Sequence, residues 1–324
     1  MADKMIEDSV TVDKDDSLPR CELKDGVYHS PFRWRMKTIK EILHFQCCYN
    51  KNVLDIGVPG NVNVTLIKTR ELDERLFKPV LLEEKPNFTW LCHASCLFRA
   101  SGVSFLTDPV FSDRASPSQW AGPLRYTPTP TGAAALHVDV VLLSHTHYDH
   151  LDVATVKAIG NGPLWICPKG VKAILASLGV TNSVELEWWD SYVYQKPDGS
   201  GAAASIVFTP AAHWTNRSLM DINTCLWGSY CVKNDSASFF FMGDSGYDDK
   251  LFHLIGDKYG PFDVAAIGIG AYRPREFLKD QHVNPMDAVK VHQDLRARQS
   301  VGIHWGTFPL SLEVHTSPPY RYPL

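Results

Sequence analysis

One run of residues limits what this chain can become more than any other. Val138-Asp139-Val140-Val141-Leu142-Leu143 is apolar except for Asp139, as expected for a strand buried between layers. It leads straight into Ser144-His145-Thr146-His147-Tyr148-Asp149-His150-Leu151-Asp152. Three histidines and two carboxylates therefore arrive together at a strand end. Polar groups packed there without partners would cost stability, so the cluster calls for something to bind. Imidazole nitrogen and carboxylate oxygen are the donors that borderline divalent metals such as zinc take. His145 and His147 alternate and would reach one metal, while Asp149 and His150 would turn toward a second.

A metal pair needs further donors, and they should also stand where strands end. His213 follows the apolar stretch Ser205–Thr209, Asp244 follows Ser238–Met242 between Gly243 and Gly246, and His304 closes the stretch from Ser300. Each is weak alone, because Gly-Asp-x-Gly is a common turn. With the first run they give five histidines and two aspartates, enough for two metals with an aspartate bridging.

The surrounding pattern is strand-rich. Phe88–Cys92, Val103–Thr107, Val138–Ser144, Leu164–Cys167, Ser205–Thr209, Leu226–Val232, Ser238–Met242, Val264–Ile269 and Ser300–His304 read as strands. Helical spacing is found over 152–159, 171–178 and 284–296, the last with Asn284 as N-cap and Pro285 at the first helical position. This order predicts a layered α/β or α+β sandwich. Residues 1–28 read as a flexible, charged lead-in. From Pro31 to about residue 45, Met36, Ile39 and Leu43 recur at helical spacing against Arg33, Arg35, Lys37 and Lys40, a basic amphipathic stretch that would either meet an anionic surface or pack on the sandwich. The expected division is thus an N-terminal segment over 1–50 and a hydrolase domain over 51–324.

A formal net charge of −4 gives no basic footprint for nucleic acid. The eight cysteines lack the paired spacing of a zinc knuckle and read as free thiols; Cys47-Cys48 forms a weak acylation pattern. The acidic first twenty residues do not look like a secretory leader, and no apolar run approaches the ~18 residues needed to cross a bilayer. The expectation is an intracellular protein, cytosolic or peripherally membrane-associated.

Beyond the metal run, the chain resembles the metallo-β-lactamase fold superfamily, whose mark is H-x-H-x-D-H followed by His, Asp and His. Within it, the resemblance is to the N-acyl-phosphatidylethanolamine-hydrolysing phospholipases D. It rests on Leu106-Thr107-Asp108-Pro109-Val110-Phe111, Arg114 to Gln119, His147 to Asp152, Leu226-Trp227-Gly228, Gly260 to Asp263, Gly270-Ala271-Tyr272, Gln281-His282-Val283 and Ile303 to Phe308, and covers residues from about 88 to 310. It implies a four-layer αβ/βα sandwich with two zinc ions at one edge. His145, His147 and His213 would hold one; Asp149, His150 and His304 the other, with Asp244 bridging. Tyr148 and His282 match positions that contact the phospholipid, and Asp108 would orient a ligand histidine or the metal-bound water. There are departures: the family's Gly-His-Ala-Thr strand end stands here as Cys92-His93-Ala94-Ser95, and Asn216 replaces a basic residue of a bile-acid-binding segment.

The implied activity is phosphodiester hydrolysis, with Asp149, Asp244 and His282 in catalytic roles and a phospholipid at a membrane surface as partner; a homodimer is compatible with it. The products would be an N-acylethanolamine and phosphatidic acid. A lactonase, a soluble phosphodiesterase, or a non-catalytic lipid-binding relative are the competing readings.

Overall fold

The computed structural model describes residues 10–13, 15–32, 37, 38, 40, 41, 72–130 and 132–313. Its strands are β1 (Val10–Thr11), β2 (Glu22–Lys24), β3 (Val27–His29), β4 (Asn87–Cys92), β5 (Ser95–Ala100), β6 (Val103–Thr107), β7 (Val140–Leu142), β8 (Leu164–Pro168), β9 (Ser183–Leu186), β10 (Ser191–Tyr194), β11 (Ala204–Thr209), β12 (Ser229–Lys233), β13 (Ser238–Phe241), β14 (Val264–Gly268) and β15 (Gln299–Ile303). The helices used below are α1 (Val153–Ile159), α2 (Lys172–Ser177), α3 (Asp249–Tyr259), α4 (Arg275–Leu278) and α5 (Pro285–Asp294).

Two sheets dominate. One runs β4-β5-β6-β7-β8-β9 and the other β1-β10-β11-β12-β13-β14-β15. Period-two alternation sorts the first sheet's residues into layers. Leu97, Leu106, Val141, Trp165 and Cys167 pack with Val156 of α1 and Leu175 of α2 on its outer face. Phe98, Phe105, Val140, Leu142 and Ile166 belong to the core shared with the second sheet. The rings of Phe98 and Phe239 stack across that core, 4.8 Å apart. Leu251, Phe252 and Ile255 of α3 and Val291 of α5 join the same cluster against Ala265 and Phe240. The order helix, sheet, sheet, helix is the αβ/βα sandwich expected. Each fully buried aromatic contributes about 2–3 kcal/mol of transfer free energy to holding it.

The nine expected strands are all present, with shifted ends. Strand β7 is shorter than 138–144 because polar side chains secure its flanks. Asp139 accepts from Ser104 N–H and Oγ–H, 2.8 Å each, and pairs with the buried Lys196 at 3.3 Å. At the other end Ser144 N–H donates to Asp108 Oδ1 at 2.7 Å.

The N-terminal expectation needs correction where it can be seen. Val10 pairs with Tyr192 at the edge of the second sheet, and Leu18 and Tyr28 are buried in the main core. Trp189 Nε1–H donates to Pro19 O at 2.9 Å. Apolar side chains at 18 and 28 anchor a segment whose charge suggested a loose lead-in. Of the basic stretch, Lys37 is largely buried, pairing with Asp280 at 3.3 Å and lying over the Phe277 ring, while Lys40 is exposed. Met36, Ile39, Leu43, Arg33, Arg35, Cys47 and Cys48 lie outside the described residues, as does the expected boundary at residue 50.

Candidate metal centre

The C-terminal ends of β6, β7, β11, β13 and β15 and the β4–β5 turn all deliver polar side chains to one edge of the sandwich. Tight turns make this possible. Gly243 has φ +60, and a Cβ there would meet Ser144 Cβ at 2.7 Å. His93, Asp108 and His304 also take positive φ (+48, +31 and +63), which costs a side-chain-bearing residue energy. Such strain gathered at one edge is a mark of a functional site.

His145, His147 and His213 form the first cluster. Ser144 Oγ–H donates to Asp108 Oδ2, so it must accept from His145 Nδ1–H, 2.9 Å away. That leaves the His145 Nε2 lone pair bare. His213 Nδ1–H donates to Gln281 O at 3.0 Å, which bares its Nε2 as well. Both face His147 Nδ1, at 2.9 and 3.3 Å. His147 Nε2 is buried without a hydrogen-bond partner among the described residues. Three imidazole nitrogens thus converge with no more than one proton to share, an arrangement that a cation resolves.

The second cluster holds Asp149, His150 and His304. His150 Nδ1 faces Asp108 Oδ2 at 2.6 Å, and its Nε2 lies 3.2 Å from His304 Nε2 and 3.4 Å from Asp149 Oδ2. His304 Nε2 is 3.3 Å from Asp149 Oδ2. Asp244 touches both clusters. Its Oδ2 lies 3.9 Å from His145 Nε2, 3.7 Å from His213 Nε2 and 3.2 Å from His150 Nε2, and its Oδ1 lies 3.1 Å from His304 Nε2.

Electrostatics separates the two clusters. Burial pushes His145, His147 and His213 down, His147 to about 4, so all three stay neutral donors. Burial also opposes charge on His150 and His304, yet Asp244 and the neighbouring carboxylates outweigh it: His150 rises well above the ordinary imidazole value and His304 to about 9. Asp149 and Asp244 resist the upward push of burial, because His150 and His304 hold them well below the usual carboxylate range. The same carboxylates that would hold protons there suit divalent cations, and the nitrogen and oxygen donors match zinc, iron or manganese chemistry.

All seven expected ligands therefore meet at one place. Asp108 stands behind His150, its Oδ2 2.6 Å from His150 Nδ1. His282 lines the same cavity: its Nδ1 is 3.8 Å from Asp244 Oδ2, and its side chain is 14% exposed against 3% for Asp244. Burial lowers its pKa to about 4. Tyr148 differs from expectation, since its hydroxyl donates to Arg217 O at 2.6 Å and its ring lies under the Arg217 guanidinium, 4.3 Å away. Asp152, the last carboxylate of the dense run, does structural work. It caps α1 at Ala154 N–H and accepts from Ser112 N–H at 2.9 Å. His93 was quoted in the sequence as part of a strand end and given no role. It is buried, with Nε2 3.0 Å from Asp149 Oδ2. Its membership of the Cys92-His93-Ala94-Ser95 motif was the available signal.

A model of the β-lactamase superfamily domain matches residues 104–305. The chain is 46% identical over 231 residues to N-acyl-phosphatidylethanolamine-hydrolyzing phospholipase D 1 of Caenorhabditis elegans, covering 68% of this chain and 64% of that protein. The chain belongs to the β-lactamase superfamily. It is also 34% identical over 281 residues to the mitochondrial N-acyl-phosphatidylethanolamine-hydrolyzing phospholipase D of Saccharomyces cerevisiae, covering 83% of this chain and 59% of that one. It thus spans about 60% of the length of these two relatives. In fold it resembles a metallo hydrolase of the archaeon Ignicoccus hospitalis, with a TM-score of 0.52 at 19% identity over 70% of this chain and 86% of the other.

Proposed function

We propose that the chain is a zinc-dependent phosphodiesterase that hydrolyses N-acyl-phosphatidylethanolamines to N-acylethanolamines and phosphatidic acid. The observation that carries this reading is the position of Asp244, whose two carboxylate oxygens reach ligand atoms of both clusters. Similarity to two N-acyl-phosphatidylethanolamine-hydrolyzing phospholipases D supports the substrate. Two zinc ions held by His145, His147, His213 and by Asp149, His150, His304, with Asp244 between, would supply Lewis acidity toward the phosphoryl oxygens and activate a water at neutral pH. The chain's own residues do the rest. Asp108 keeps the His150 ring turned so that Nε2 faces inward. Ser144 and the Gln281 carbonyl do the same for His145 and His213. His282, whose side chain is 14% exposed where those of His145, His150, His213 and His304 are 2% or less, would face the incoming phosphate and orient it. In the reaction the water oxygen joins phosphorus, the P–O bond to the N-acylethanolamine breaks, and that oxygen takes up a proton.

A bilayer substrate requires an approach to a bilayer. Among the described residues no helix is long and apolar enough to cross a membrane. Two loops tied to the metal run do carry exposed apolar side chains. Trp120 is 94% exposed, on the loop that holds Asp152 through Ser112; Leu219 and Met220 are 90% and 92% exposed, beside Arg217, which donates to Thr146 O and Leu151 O. Large apolar side chains left this open beside a lipid-cleaving site suit a membrane surface. Incubation with N-acyl-phosphatidylethanolamine in detergent tests the whole reading, with His147→Ala as control. Release of N-acylethanolamine by the wild type alone is expected; cleavage of soluble esters or lactones with the lipid left intact would overturn it.

A further inference from the structure

The β4–β5 hairpin turns at His93-Ala94, with Cys92 paired to Ser95. Two-residue hairpin turns favour Gly, Asn or Asp where φ is positive. Here a histidine occupies φ +48, and the turn is buried, with His93 1% and Ala94 0% exposed. Every peptide group of a buried turn needs a partner. His93 N–H donates to Thr307 Oγ1 at 2.8 Å, and His93 O accepts from Trp90 Nε1–H and from His304 N–H, 2.8 Å each. Ala94 O accepts from Thr107 Oγ1–H at 2.7 Å. The turn is therefore clamped to the segment that carries His304. Its ring centroid is 4.0 Å from that of His304, with the Phe308 ring edge-on at 5.2 Å, and its Nε2 is 3.0 Å from Asp149 Oδ2.

A strained, buried position that glycine or asparagine would fill more easily is held by a large ring whose outer nitrogen reaches a site carboxylate. We propose that His93 is a positioning residue for the second metal position: it donates Nε2–H to Asp149 and fixes the carboxylate in the orientation that faces His150 and His304. This rests on the metal part of the function proposed above. Asp149 then has supports on two sides, the His93 ring and the chain that carries His304, whereas His145 and His213 lean on a hydroxyl and a carbonyl. The role differs from that of a metal ligand, because the nitrogen nearest the site is spent on Asp149.

Two variants separate the alternatives. His93→Asn tolerates positive φ and keeps the turn, but its amide stops near the ring's inner nitrogen and cannot reach Asp149. His93→Gln places an N–H where Nε2 now stands. The full chain is dialysed against buffered zinc, metal per chain is counted by mass spectrometry, and the cobalt(II)-loaded forms are compared by visible spectrum. For His93→Asn the second metal equivalent should bind about 10–100-fold more weakly, as when a supporting hydrogen bond to a ligand is lost, with the first equivalent unchanged. His93→Gln should restore the second equivalent and its cobalt spectrum. Unchanged binding in His93→Asn would overturn the proposal. So would failure of His93→Gln alongside it, which indicates a ligand, or equal weakening of both equivalents with a lowered melting temperature, which indicates packing alone. Wild type that binds two equivalents yet leaves the phospholipid intact would sink the proposed activity and not this inference.

Discussion

The edge of the sandwich inverts the usual arrangement of a soluble protein. Inside it, His145, His150, His213, Asp244 and His304 are buried, and Asp149 and His147 are nearly so. Outside it, on loops hydrogen-bonded to the same run, Trp120, Leu219 and Met220 stand more than 85% exposed. Elsewhere the molecule follows the ordinary rule, with Phe98, Phe105, Phe239 and Phe241 at the centre. Buried titratable groups and exposed large apolar side chains both cost something, so a region that carries both is arranged for chemistry and contact instead of stability. The inner half should govern catalysis and the outer half only access to lipid.

The sharpest way to break that division is at Asp244. Asp244→Ala removes the carboxylate that, among the described residues, reaches both clusters. Hydrolysis should fall by about 10³-fold or more, as expected when the charges that stabilise a transition state lose their anchor. Metal content should drop for both positions together. Retention of one tight metal and substantial activity would show that the clusters work independently. Dialysis against a chelator should likewise abolish activity, with recovery on adding zinc; full activity in the stripped chain would remove the metal reading altogether.

Asp108→Asn is a milder test inside the same half. The amide keeps the size of the carboxylate but loses the charge behind His150. The second metal should bind about 10–100-fold more weakly, while the first, supported through Ser144 and Gln281, changes less. Equal loss at both positions would mean that Asp108 acts through Ser144 as strongly as through His150, since both donate to its carboxylate.

The outer half predicts the opposite profile. The triple variant Trp120→Ser, Leu219→Ser, Met220→Ser should weaken binding to phospholipid vesicles by at least about tenfold, because each large side chain carries about 1.5–3 kcal/mol when fully taken out of water. Turnover of detergent-dispersed substrate should stay near wild type, and stability should change by no more than about 0.5 kcal/mol per site. A fall in detergent turnover equal to the fall in vesicle binding would erase the distinction between the halves.

The two halves also differed in how far they could be read from sequence. The ligands stand at strand ends, and strands announce themselves by apolar runs, so His145 to His150, His213, Asp244 and His304 could all be located. The structure adds what pairs them. Strand β5 was missed because Arg99 breaks its apolar run one residue before its end; that guanidinium is buried, donating to Arg75 O and Lys78 O. Helix α3 was missed although Leu251, Phe252 and Ile255 recur at helical spacing and bury one face. His93 was legible only as part of a motif, since its partner Asp149 is 56 residues away. The exposed loop residues gave no signal, because a single Trp or Met in sequence does not say whether it is buried.

Tyr148 sits on the border between the halves and carries the smallest expected effect. The family resemblance places it against the phospholipid, yet its hydroxyl donates to Arg217 O, and Arg217 in turn anchors Thr146 O and Leu151 O. This ties the metal run to the loop bearing Leu219 and Met220. Tyr148→Phe keeps the ring under the guanidinium and removes one hydrogen bond, worth about 0.5–1.5 kcal/mol net. Stability should fall by that amount, and kcat by less than about tenfold, with any larger change in KM as the loop shifts. If the hydroxyl instead protonated the leaving oxygen, kcat would fall by about 10²–10⁴-fold at unchanged stability. That outcome would move Tyr148 from the scaffold of the site into its chemistry and require the Arg217 contact to open when lipid binds.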